Sequence, residues 1–407
     1  MVSLATELVA CSGSTSHPTP AGVKTGPGFD GKQITLGVIA PLTGPTAQLA
    51  APVLAGNQLY WDELNAKGGV AGRYPVRLQR ADSQYFESVA ALRYDEIESG
   101  VVMLNQIFDS KATTAILPRL RMQGVVAATA TDDPEWVAEP NLLPTGAPAE
   151  IRTINAISYW VDHGGRGRRL CALHQDDTYG PVGFDGVTYA VAQLHLELAA
   201  APTFRPLEGD LSRQLDVLRQ ANCDAVFFNG NFLQATDVAR RAQAAGFSPQ
   251  WIASAQSSSA SLLAQTDLQE YLRAHWWTVG NGPTPGDRSI PGMRRLVDAQ
   301  RRYGSPQPVD VSVVAGYVES WAVDQVLERA VARHDLSRAG IIQAMRTVGT
   351  LRFDGLYPDY RVGAGAANRR PPRASTVFAV DPSVPGELKA LAADATSAAA
   401  TRFSLPT

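Results

Sequence analysis

One pattern limits the fold of this 407-residue chain more than any other: short apolar runs of strand length alternate with stretches of helical periodicity, and the alternation stops and restarts. Residues 34–40 (ITLGVIA) are an apolar run and residues 41–45 (PLTGP) a turn. Residues 47–67 then have helical spacing, with Leu49, Val53, Tyr60 and Leu64 near one face. Lys67, Gly68 and Gly69 supply a cationic last turn and a glycine stop. The same order recurs as strand and helix at 76–81 and 87–98, at 101–107 and 111–122, and as a strand at 125–130. Strands alternating with helices predict βαβ units and a parallel sheet covered by helices on both faces.

A proline-rich break at 140–148 (PNLLPTGAP) predicts a crossing into a second unit. Strands are then predicted at 169–174, 202–205, 224–229 and 250–254. Helices fall between them at 182–198, 211–221 and 233–245, the last stopped by Gly246. The apolar, aromatic run at 275–279 and the NGPTPG of 281–286 are read together as a second crossing. Helices follow at 290–303, 311–333 and 337–347, a third crossing at 351–360 and a last strand at 377–380. The fold class is α/β, with two lobes built on parallel sheets. The division is 1–30 as signal remnant and tether, 31–145 plus 276–350 as the first lobe, and 146–275 plus 351–387 as the second. Residues 388–407 are read as a loosely attached Ala/Ser-rich tail. A chain this long exceeds what one core usually holds, which fits two lobes.

Composition narrows the function. The net charge is -3 with no block of like charges, which argues against nucleic acid. No apolar stretch reaches the roughly 18 residues of a membrane span. The three cysteines, Cys11, Cys171 and Cys223, form no CxxC, so no structural metal is expected, nor any cofactor. Leu8, Val9, Ala10 and Cys11 read like a lipobox followed by a polar tether, although Glu7 and the lack of Lys or Arg make a poor signal peptide. Lipidation at Cys11 would hold the chain to a membrane face without spanning it. The plainer alternative is a cysteine occurring by chance in an unstructured terminus.

Catalytic motifs are scarce. GPGFDG at 26–31 matches GxGxxG, but it precedes the first strand and carries a proline where N–H donors are needed, so it is read as linker. Asp132-Asp133 and Asp176-Asp177 both follow predicted strands; turn forming and helix capping are the expected roles. His174 is read as structural rather than as a contact. Trp136 either packs or stacks on a flat ligand, with packing favoured. Cys171 opens the first strand of the second unit and Cys223 lies just before the third, strands expected to be neighbours about 4.8 Å apart. Two buried free thiols are favoured over a bridge, because strand registers rarely suit disulfide geometry.

Residues 37–45 (GVIAPLTGP) followed by 64–72 (LNAKGGVAG) resemble the opening of leucine- and branched-chain-amino-acid-binding proteins, the type I periplasmic binding proteins. HQDDTYG at 174–180, FFNG at 227–230 and RRAQAAG at 240–246 resemble later parts of that family, and the likeness runs from about Ile34 to Asp381. The resemblance implies two Rossmann-like lobes joined by a three-strand hinge and closing on a small ligand, outside the cytoplasm. It implies a small polar ligand such as an amino acid or amide, and as partners the membrane permease and ATPase of an ABC importer. The same clamp could serve a ligand-sensing receptor. An interlobe enzyme is the weaker rival, since no nucleophile and base set is visible, and catalysis is not expected.

The resemblance also implies a ligand site at positions after cleft-facing strands. These are Phe108, Asp109 and Ser110, then Ala130, Thr131 and Asp132, then Tyr179, Asn231, Ala255 and Gln256, with Thr43, Gln48 and Leu49 near the first loop. The family's ammonium-binding glutamate would fall near Ala255 or Gln256, where this chain has none. Asp109 and Asp132 would repel a ligand carboxylate. One reading is therefore a cationic or uncharged ligand. The other is that the register is displaced, or that Asp109 caps the helix after it.

Overall fold

The computed structural model describes residues 22–304 and 309–405. The lipobox reading at Cys11 falls outside those residues. The first lobe opens with β1 (Ile34–Ala40), α1 (Ala47–Asn65), β2 (Val76–Asp82), α2 (Glu87–Ile97), β3 (Leu104–Ile107), α3 (Ser110–Gln123), β4 (Ala127–Thr129) and the short β5 (Leu142–Leu143). The second lobe runs through α4 (Ala149–Trp160), β6 (Arg169–Gln175), α5 (Tyr179–Leu194), β7 (Glu197–Ala200), β8 (Thr203–Phe204), α6 (Ser212–Gln220), β9 (Ala225–Asn229), α7 (Phe232–Ala244), β10 (Gln250–Ser254), α8 (Ala260–Leu263), α9 (Gln269–His275) and β11 (Trp276–Gly280). The chain returns to the first lobe with α10 (Pro291–Tyr303), α11 (Val311–Ala332), α12 (Arg338–Thr347), β12 (Gly349–Leu351) and β13 (Tyr360–Val362). It ends in the second with β14 (Ser375–Val380), β15 (Leu388–Ala395) and α13 (Ala398–Arg402).

The first sheet has the order β2-β1-β3-β4-β5, all parallel. β1 is buried along its whole length, as its unbroken apolar run requires of a strand covered on both faces. α1 and α11 cover one of those faces. They touch through two glycines: a Cβ on Gly56 would lie 2.1 Å from the Val313 carbonyl oxygen, and one on Gly316 2.0 Å from that of Val53. Asn57 fastens the contact by donating to the Gly316 carbonyl at 2.7 Å.

The second sheet has the order β15-β14-β11-β10-β9-β6-β7, with β8 also pairing β6. β14 runs antiparallel to β11, and β15 antiparallel to β14. Cys171 on β6 and Cys223 just before β9 form a disulfide with Cα atoms 5.8 Å apart. This corrects the free-thiol expectation. Cys223 sits in the turn rather than in the ladder, so strand register does not constrain its side chain.

Three crossings join the lobes, at 144–148, 281–290 and 363–374. The first lies inside the segment read from the sequence; the other two are displaced. Residues 276–280 form β11, paired in parallel with β10, so they belong to the second sheet and not to the first lobe. Trp276 is buried there beside Trp251. Residues 351–360 are not a crossing. Leu351, Phe353, Leu356 and Tyr360 are buried in the first-lobe core, and β12 and β13 pair there as a small antiparallel ladder. The supposed tail supplies β15 and α13, with Leu388, Ala399 and Ala400 buried.

The GPGFDG segment is not free linker either. Lys24 exchanges backbone hydrogen bonds with His334 and Leu336, and Phe29 is buried edge-on against Tyr74. Gly28 has φ +76°, and a Cβ there would meet the Val102 nitrogen at 2.2 Å. The glycine spacing serves this close packing, on the side of the sheet where β1 and β3 begin.

Candidate functional site

Residues from both lobes line one cleft, which holds about 1210 Å³ counting its open mouth. From the first lobe, Phe108, Asp109 and Ser110 follow β3, Ala130, Thr131 and Asp132 follow β4, and Leu49 comes from α1. From the second, Tyr179 opens α5, Asn231 precedes α7, and Ala255 and Gln256 follow β10. Thr43 and Gln48 are not among the lining. Asp82 accepts from the Leu42 N–H at 2.8 Å and from the Thr43 hydroxyl, which draws the loop toward β2. Gln48 turns back to the Pro45 carbonyl. Trp136 is core packing in the first lobe, and His174 stacks on Phe184 with ring centres 4.5 Å apart.

One wall of the cleft is apolar: Leu49, Pro52 and Val53 from α1, Val311 and Ala315 from α11, with Phe108 and Phe232. The other groups are polar and largely tied to one another. The Tyr179 hydroxyl lies 2.8 Å from Gln256 Oε1 and 3.1 Å from Ser254 Oγ. The Ser110 and Thr131 hydroxyls are 3.1 Å apart. Asn231 caps α7 with its side-chain oxygen and offers its amide to Gln175 at 3.4 Å.

The carboxylates resolve the open question about charge. Asp109 Oδ1 accepts the Ala112 N–H at 2.8 Å, so this residue caps α3. Burial lifts its carboxyl to about 6, against the pull of that N–H and of Lys111. Asp132 is paired: its Oδ2 accepts from Arg152 Nη1 at 2.7 Å and its Oδ1 from the Gly146 N–H at 3.0 Å. The expected repulsion of a ligand carboxylate by Asp132 is therefore countered by a cation on α4. Asp177 caps the start of α5 through the N–H groups of Tyr179 and Gly180, and Lys111 of the first lobe reaches it at 3.5 Å. Burial pushes Asp133 up to about 8, and holds Glu319 on α11 well above the usual carboxylate range.

Sequence reasoning missed Arg152, Lys111, Glu319 and Tyr357 as lining residues; Asp177, read after a strand with capping as its expected role, both caps α5 and lines the cleft. Lys111 directly follows Ser110, so the rule that found Ser110 reaches it with one more step. Arg152 carries no such signal, since it sits one turn inside a helix beyond the first crossing. Glu319 and Tyr357 come from segments whose place beside the cleft depends on the return of the chain to the first lobe.

The arrangement can enclose a molecule with a hydrogen-bonding end and an apolar body. The crossings pack next to it. Asn281 Oδ1 accepts the Ala147 N–H at 3.1 Å, Thr376 donates to the Gly282 carbonyl at 2.7 Å, and Arg369 donates to the carbonyls of Glu139 and Leu142. The connection between the lobes is thus a small set of hydrogen-bonded strands rather than a broad interface.

Known proteins share this plan. The sequence profile of the periplasmic binding protein family matches residues 33–385. A fatty acid ABC transporter substrate-binding protein from Thermomonospora curvata is 26% identical and superimposes with a TM-score of 0.87, over 95% of this chain and 98% of that one. A branched-chain amino acid ABC transporter protein from Thermus thermophilus, solved with bound valine, is 15% identical with a TM-score of 0.79, over 93% and 99%. Among curated relatives, Leu/Ile/Val-binding protein homolog 3 of Brucella melitensis is 22% identical over 220 residues, 52% of this chain and 58% of that protein. The Leu/Ile/Val-binding protein of Citrobacter freundii is 23% identical over 54% of this chain and 61% of its own length. The matched part thus spans about three fifths of those relatives.

Proposed function

Because the chain belongs to the periplasmic binding protein family, a family of extracytoplasmic binding proteins, we propose that it captures a small molecule between its lobes and delivers it to the permease and ATPase of an ABC importer. The observation that carries this reading is a cleft lined by residues of both lobes beside three crossings. A solute touching both walls binds the closed arrangement better than the open one, and that difference drives closure. The ligand class we propose is an acid with an apolar body. Branched-chain amino acids and fatty acids, named for the relatives, share those two features. The apolar wall of α1 and α11 and the neutralised Asp132 support it here. We prefer it to a cationic or uncharged ligand, which rested on Asp109 and Asp132 as free charges and on the lack of an ammonium-binding glutamate near Ala255 or Gln256.

Thermal unfolding of residues 22–407 with amino acids, fatty acids, amides, polyamines and nucleosides tests the reading. A true ligand at about 100 times its Kd stabilises the fold by about 2.7 kcal/mol. Small-angle scattering with the same compound should show a smaller radius of gyration. Stabilisation without compaction counts against a clamp, and compaction by no small molecule at all rejects it.

A further inference from the structure

Arg152 is wholly enclosed, with a side chain only 5% exposed, yet it lines the cleft. It reaches from α4 of the second lobe to Asp132 of the first. Its Nη1 donates both to Asp132 Oδ2 at 2.7 Å and to the Ala147 carbonyl at 2.6 Å. Nε and Nη2 donate to no residue among those described. A guanidinium has five N–H donors in a fixed fork, so three remain, two of them side by side on the Nε and Nη2 edge. Neither atom is among the buried side-chain atoms left without a partner, so both keep access to the cleft that Arg152 lines. The Nε and Nη2 edge matches a planar group with two acceptor oxygens.

Resting on the clamp reading above, we propose that Arg152 is the specificity-determining anchor of the site, receiving the carboxylate of the bound acid on its Nε and Nη2 edge. Asp132 acts as a positioning residue that holds the guanidinium by its other edge. The apolar body of the ligand then lies against Val53, Phe108, Val311 and Ala315. Glu319 stands near Asp132 as a buried carboxyl whose proton is held more tightly than usual by burial, which lessens its opposition to an incoming carboxylate. Placing the anchor on α4, across a crossing from its partner, makes ligand binding and lobe closure use the same side chain.

Two matched pairs test this by titration calorimetry on the whole chain: leucine against leucinamide, and 4-methylpentanoate against 4-methylpentanamide. In at least one pair the acid should bind ten times or more tighter than its amide. The variant Asp132→Asn/Arg152→Gln, an uncharged pair that avoids a lone buried charge, should erase that ratio by weakening the acid and sparing the amide. Equal affinities of acid and amide in both pairs overturn the anchor while leaving a clamp that binds either. An acid preference that survives intact in a folded double variant overturns it as well. So does failure of all four compounds to bind. Compaction in scattering, with solutes of any charge, judges the clamp independently.

Discussion

At two places in the cleft an aspartate of one lobe meets a cation of the other, and the two pairs are built differently. Asp132 and Arg152 are almost out of water, with side chains 13% and 5% exposed. Asp177 is buried, but Lys111 keeps 32% of its side chain in solvent, and their charged atoms are 3.5 Å apart instead of 2.7 Å. The first pair comes with further hydrogen bonds on both partners. The second joins a fixed aspartate to a flexible ammonium. Coulomb attraction favours both, but only in the first are both partners desolvated, so breaking it from either side would leave a buried charge unbalanced. The first should act as structure, and the second as an adjustable contact between lobes.

Arg152→Ala is the harshest way to break that contrast. It strands a desolvated Asp132 and should cost about 3–5 kcal/mol in chemical denaturation. A loss below about 1 kcal/mol would make the two pairs alike. Asp109 sharpens the contrast through pH. Its folded pKa of about 6 lies above the ordinary aspartate value near 3.9. Between those values the folded chain holds a proton that the unfolded chain has released. Stability from this group is therefore full below about pH 4 and falls as pH rises toward 6, by at most about 1.4 kcal/mol per unit. Asp109→Asn keeps a capping side chain and should remove that slope; parallel pH profiles would refute it. Asp109→Ala at pH 7 removes the cap of α3, worth about 1 kcal/mol. Lys111→Met should move stability by no more than about 1 kcal/mol. Its measurable effect should be on the open–closed balance, read as a change in radius of gyration without ligand and in its salt dependence.

The legible part of the molecule was what period and punctuation encode. The run at 34–40, the PNLLPTGAP break and the glycine stops marked strands, a crossing and helix ends. The family resemblance, with the rule that ligands sit beyond strand ends, then pointed to Phe108 through Ser110 and Ala130 through Asp132, all of which line the cleft. Illegible were features set by tertiary pairing. An aromatic run such as Trp276–Gly280 reads the same whether it crosses between lobes or closes a sheet, and its pairing with β10 decides. The Ala-rich stretch after Glu387 has weak strand signals, and becomes β15 because β14 offers an edge. The guanidinium of Arg152 meets Asp132 across 20 positions and a change of lobe. Neither partner carries local evidence of the other.

The first lobe is discontinuous in a way that bears on the order in which the molecule can be made. Asn57 on α1 waits for Gly316 on α11, 259 positions later, and the first-lobe core is complete only with Val362. The segment from Cys171 to Cys223 needs a loop of only 52 residues to close its staple. Contacts distant in sequence form late because their loop entropy must be met first. A chain emerging from its amino end therefore presents all five strands of the first sheet before α11 arrives to complete the cover of β1, while the segment from Cys171 to Cys223 can already close its staple. The oldest part of the chain is thus completed by helices more than 250 positions younger.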